Sequence, residues 1–196
     1  MADPLTRTRE QLVNEFLELD RIYSDLFKRC TREQLLWRPS NGGWSIAECI
    51  EHVARANSQY LPPLKTAIAK GGPPAPAQDY RLSPGGWFSA AFLKRIGPQV
   101  TVKFKAPRKI RPLSVDPEQA FQELRRGHLE IQELLAAKTQ RDLNRIGFKN
   151  PFISALRFTV ATGFLIMAAH GRRHIEQAER LSKLNGFPTD RAQQSA

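Results

Sequence analysis

Apolar residues recur along much of this chain at steps of three and four, the period of helices that bury one face. In the first such stretch Leu12, Phe16, Leu19, Tyr23, Leu26 and Cys30 keep that spacing, which predicts a helix over residues 4–29. Thr31-Arg32-Glu33-Gln34 offers a cap for a short turn, and Trp37-Arg38-Pro39-Ser40-Asn41-Gly42-Gly43 then breaks the pattern with turn residues. Ser45-Ile46-Ala47-Glu48 is a capping box that opens a second long helix, with Trp44 placed to act as a hydrophobic staple one turn in. Its buried stripe is Ile46, Cys49, Ile50, Val53 and Ala56, with His52 on or beside that face. Pro62-Pro63 should end or kink this helix before a shorter piece at 64–70, because proline lacks the N–H that a helix interior needs.

Residues 71–86 read as a loop from their Gly and Pro content, and Trp87–Ile96 as one short helix across the end of a bundle. Residues 100–105 alternate like a strand but lack an evident partner, so extended coil is expected there. A third helix runs from Pro117 to Ala137, capped by Ser114 or Asp116, with Phe121, Leu124, Ile131 and Leu135 on one face and His128 in the same stripe. After Gly147 and Pro151 a last helix pattern occupies 158–184, its stripe starting at Leu156 and passing through Val160, Phe164, Met167, His170, His174 and Ala178 to Leu181. The expected fold is all-α: a four-helix bundle with a long, partly irregular connection between its second and third helices. With 196 residues and 41% hydrophobic content, one core and a single domain over 1–196 are expected.

Two imidazoles interrupt the buried stripe of the last helix. His170 and His174 are four residues apart, so their rings stack one turn above the other and can converge on one metal ion. An imidazole buried without partners costs about 1–3 kcal/mol, so these ring nitrogens need a metal or, equally consistent with the pattern, carbonyls or water. His128 can face the same point as a further ligand or serve as a structural histidine. Cys30 and Cys49 show no CxxC spacing and read as two small buried hydrophobes.

Net charge is +11, and between Tyr80 and Val115 there is no Asp or Glu, while Arg81, Lys94, Arg95, Lys103, Lys105, Arg108, Lys109 and Arg111 all fall there. Such a segment attracts anions, whether nucleic acid, a membrane surface or a small carboxylate-bearing substrate. No nucleic-acid reader motif accompanies the charge, so nucleic acid is not the expected partner. The longest apolar run is too short to span a bilayer and no secretory signal is evident, so a soluble, cytoplasmic protein without a membrane partner is expected.

Three groups of residues carry a family resemblance: Trp37-Arg38-Pro39; Trp44-Ser45-Ile46-Ala47-Glu48 leading to Glu51-His52-Val53; and His170 with Arg173-His174-Ile175-Glu176-Gln177. In these the chain resembles the DinB/YfiT-like superfamily of bacterial metalloenzymes, which is unrelated to the polymerase that shares the name. The resemblance implies a four-helix bundle holding a divalent metal, zinc or nickel and otherwise manganese or iron, on His52, His170 and His174. Glu48 and Gln177 are candidate outer partners of those ligands, and no catalytic side chain is assigned. Relatives include S-transferases that use thiols such as bacillithiol or mycothiol, a mycothiol-dependent maleylpyruvate isomerase, and proteins regarded as hydrolases. The leading expectation is transfer of an anionic low-molecular-weight thiol to a small electrophile, with the segment 94–111 attracting the thiol. Metal-dependent hydrolysis and a non-catalytic, metal-stabilised stress or binding module are the alternatives, and relatives suggest a homodimer.

Overall fold

The long helices of this chain start on side chains that take up backbone N–H groups the first turn leaves without partners. The computed structural model describes residues 5–76, 80–98, 106–113, 115–137, 140–153 and 155–189. In it a short strand β1 (Arg7–Thr8) runs into helix α1 (Arg9–Arg29), whose N-cap Thr8 forms a capping box with Gln11. Helix α2 (Arg32–Leu36) opens on the same arrangement between Thr31 and Gln34, and α3 (Ile46–Ala69) on Ser45 and Glu48. Strand β2 (Arg81–Leu82) and α4 (Trp87–Ile96) follow, then α5 (Pro117–Ala136), capped by Asp116. Strands β3 (Gly147–Lys149) and β4 (Arg157–Thr159) lead into α6 (Val160–Leu181), capped by Thr159.

The four long helices form the bundle. Helix α3 packs on α5 and α6, and α1 packs on the same two from the opposite side, so α1 and α3 lie across a diagonal. Their apolar stripes meet in one core that includes Phe16, Tyr23, Ile50, Leu64, Leu124, Ile131 and Phe164. No described helix is long and apolar enough to cross a membrane.

Several elements depart from the sequence reading. Helix α1 starts at Arg9 and not at residue 4, because Arg7 and Thr8 pair with Leu82 and Arg81 in an antiparallel ladder. Its final apolar residue, Cys30, is the half-buried C-cap rather than a core residue, whereas Cys49 is buried. The expected break at Pro62-Pro63 does not occur, and α3 continues through both prolines to Ala69. The carbonyls deprived of donors belong to Ser58 and Gln59, exposed and half-buried, where water can satisfy them, while Tyr60, Leu61 and Leu64 on the other face hold the helix in the core. Helix α6 begins at Val160 because residues 157–159 pair with 147–149, and it ends at Leu181. Of the two candidate caps of α5, Asp116 receives the Gln119 N–H at 2.9 Å, and Ser114 lies outside the described residues, as do 100–105.

Close approach of α3 and α6 is what brings their histidines together. At Gly163 of α6 an added Cβ would come within 2.8 Å of Leu64 Cδ2 and 3.1 Å of the Phe148 ring. Both neighbours are buried, and the branched side chain in Gly163→Val has nowhere to go. That variant is expected to lose about 2–3 kcal/mol despite valine's better helix propensity, read as a lower urea midpoint. An unchanged midpoint would mean that the two helices do not need this gap.

Candidate metal centre

Helices α3 and α6 run antiparallel, since Leu64 meets Gly163 while His52, twelve residues earlier on α3, meets His170 and His174. The three imidazoles form a compact trio with ring centroids 4.6–4.9 Å apart. One potential ligand atom from each lies within 4.8 Å of the others. His52 Nε2 is 3.1 Å from His170 Nε2. His52 Nδ1 is 2.7 Å from the Ile110 carbonyl, and a carbonyl only accepts, so Nδ1 carries the proton and Nε2 presents a lone pair to the other two rings.

That orientation is itself supported. Residues 108–110 form a single 3-10 turn, and the chain around it is tied to α3 at two points. Arg55 donates to the Lys109 carbonyl at 3.1 Å, and Glu51 accepts from Leu113 N–H at 3.3 Å. The Trp44 ring covers the trio from one side, 4.6 Å from the His52 ring and 6.0 Å from that of His174. Trp44, expected as a staple, packs against the core and also directs its ring at the histidines.

All three rings are held neutral. Burial pushes His52 down to about 4, and Arg173 and Arg55 act in the same direction while the Ile110 carbonyl opposes them. His170 lies well below the usual histidine range through burial, then through His52 and Arg173. His174 does so through burial, His170, His52 and Arg173, with the Gln177 side chain working the other way. Neutral imidazole is the form that binds a metal. The buried Nδ1 of His174 has no hydrogen-bond partner, and two Nε2 atoms face one another, so the trio fits a cation that accepts nitrogen lone pairs.

The trio borders a cavity of about 930 Å³. Glu48, a candidate outer partner, is committed elsewhere: it receives Arg38 Nε at 2.7 Å and Ser45 N–H at 2.9 Å, and also pairs with Arg38 Nη2. Gln177 does line the cavity beside His174. His128 is separate, buried among Phe16 and Tyr23 with its Nδ1 3.7 Å from Asp20 Oδ1. Of the described residues in the basic segment 94–111, Ile96, Ala106, Pro107, Ile110 and Arg111 line the cavity, and Arg111 is the single charged one. Sequence reasoning missed Ile110, which acts through its backbone carbonyl and so leaves no side-chain signal. It also missed the bracing role of Glu51 and Arg55, whose only trace is their i,i+4 spacing around His52.

The sequence model of a protein family described as the DinB superfamily matches residues 15–178. The fold is similar to that of YfiT from Bacillus subtilis, described as a probable metal-dependent hydrolase with an unusual four-helix bundle topology. The two share 18% identity with a TM-score of 0.60, over 92% of this chain and 89% of that one, a likeness of fold. No curated protein matches the sequence significantly.

Proposed function

We propose, because the chain belongs to the DinB superfamily and draws three neutral imidazoles together at a cavity, that it is a metal-dependent enzyme acting on a small molecule, with His52, His170 and His174 as the metal ligands. The observation that carries this reading is the His52 tautomer. A backbone carbonyl on Nδ1 is the usual outer partner of a ligating histidine, because it fixes the ring and leaves the other nitrogen free to bind. A divalent cation held by three histidines keeps a position for a guest and acidifies a thiol or water placed there.

Among those guests a low-molecular-weight thiol is favoured, delivered to an electrophile. Hydrolysis is helped by a side chain that takes a proton from water, and Glu48, the one carboxylate among the described lining residues, is occupied by Arg38 and the Ser45 N–H. A thiol needs less help, being far more acidic than water before anything binds it. The chain's own contribution is then to orient His52 through Ile110, to shield the trio with Trp44, and to offer apolar wall to the electrophile. The second reading, metal-dependent hydrolysis, draws on the description of YfiT.

Reconstitution with zinc, nickel, manganese or iron(II), followed by assay of several thiols against a chlorinated arene or an epoxide and of simple esters, separates the two. Thiol-dependent turnover that vanishes on chelation is expected. Ester cleavage without any thiol would favour hydrolysis, and no turnover with any metal would leave a site that only ties α3 to α6.

A further inference from the structure

The cavity wall is asymmetric in charge. Arg38, Arg111, Arg173 and Arg180 line it against a single carboxylate, Glu48, among the described residues. Three of these arginines come from outside the basic segment singled out by the sequence. The polarity also has a direction along the bundle. Tyr60 lies eight residues beyond His52 on α3, about 12 Å along the helix, and Ile166 lies about 6 Å the same way from His170 on the antiparallel α6. Phe152 joins that end with its ring 5.5 Å from Tyr60, and Phe92 with its ring 5.3 Å from Phe158, just before α6. Toward the opposite end, Arg180 is six residues past His174, about 9 Å along the axis, and Arg38 sits on Glu48, one turn before His52. Arg173 is next to the trio itself, with Nη1 donating to the Arg95 carbonyl at 3.2 Å, and its charge bears on all three histidines.

We infer that the cavity binds an elongated organic anion, a carboxylate, sulfonate or phosphate carried on an apolar body. Its anionic group lies among the arginines, with Arg111 and Arg180 as its principal partners because Arg38 is already paired with Glu48, its apolar part lies against Tyr60, Phe92 and Phe152, and the bond to be changed lies beside the three histidines. The apolar end excludes water from one half of the molecule, while arginines at the other supply charge-assisted hydrogen bonds that a neutral analogue cannot use. The position of the reacting bond rests on the proposed metal centre; recognition of the anion does not. Arg180 is exposed and its ion pair with Glu176, one turn earlier on α6, is long at 3.8 Å, so its guanidinium keeps donors for an anion.

Two fluorescent probes of similar size test the inference on the full chain: 1-anilinonaphthalene-8-sulfonate and the neutral N-phenyl-1-naphthylamine. The sulfonate is expected to bind about tenfold more tightly, and the pair Arg111→Gln with Arg180→Gln to bring the two probes within about threefold of each other. The charge-matched pair Lys94→Gln with Arg108→Gln, both exposed and outside the cavity, should keep the preference. Equal binding of both probes, or a preference that survives loss of Arg111 and Arg180, would overturn the inference, as would equal loss in the control pair. Metal content is measured in the same samples. A sulfonate preference in protein that takes up no metal would leave the anion site standing and remove the metal centre, whereas zinc uptake without any preference would do the reverse.

Discussion

Alanine at any one of His52, His170 or His174 is expected to weaken metal binding by more than about 100-fold, beyond the usual cost of losing an outer-shell partner. Each ring contributes one nitrogen to a cluster whose ligand atoms lie within 4.8 Å of one another, so two remaining imidazoles cannot close the same site. His128→Ala provides the contrast. Its ring packs against Phe16 and Tyr23 on the α1 and α5 side of the bundle and faces Asp20, so its removal should leave metal content unchanged. It should instead lower stability, by about 2 kcal/mol or more, because a fully buried ring is lost and a cavity remains. Elemental analysis of dialysed, untagged protein reads the first effect and a urea titration the second. Equal metal loss in all four variants would mean that uptake follows overall folding and not these three rings.

Acid should unfold the metal-free protein over an unusually high pH range. An imidazole in the unfolded chain takes up its proton near 6.5, but His52 in the fold does so only near 4. Between those values the unfolded state binds more protons, so stability falls as pH falls. The His52 contribution is intact above pH 6.5 and gone below about 4, a loss of about 3 kcal/mol for a shift of this size. His170 and His174 are shifted in the same direction and add to the loss. Glu51, raised by burial, works in the opposite sense but is one group against three. Urea midpoints in the presence of a chelator should therefore drop markedly from pH 7.5 to pH 4.5. Zinc should raise the midpoint at pH 7.5 and lose that effect in acid, as protons displace it from the rings. A midpoint that stays level with pH would show that the histidines are not buried as neutral groups.

Much of the bundle is legible in residue spacing, because each long helix buries one stripe and opens on a short polar cap. Ser45 and Glu48 announce α3, and the interval between His170 and His174 announces a shared face. What escapes the pattern has physical reasons. The ladders between β1 and β2 and between β3 and β4 are two or three residues long, too short for alternation to register, yet they determine where α1 and α6 begin. Pro62 and Pro63 misled because propensity speaks for the isolated helix, and here tertiary packing of the opposite face decides. At the site, membership of His52 in the trio was implied only by family resemblance, since nothing in local spacing links α3 to α6. Its orienting partner is a backbone oxygen on Ile110, and the four arginines of the cavity come from three separate stretches of chain, two of them from α6.

The central claim is that one cation sits among these three rings. A crystal of the zinc-loaded chain, with anomalous diffraction recorded on both sides of the zinc edge, tests it most directly. The expected result is a single strong peak about 2.0–2.1 Å from a ring nitrogen of each of His52, His170 and His174. A peak held by other residues, or no peak in protein shown to contain stoichiometric zinc, would contradict it.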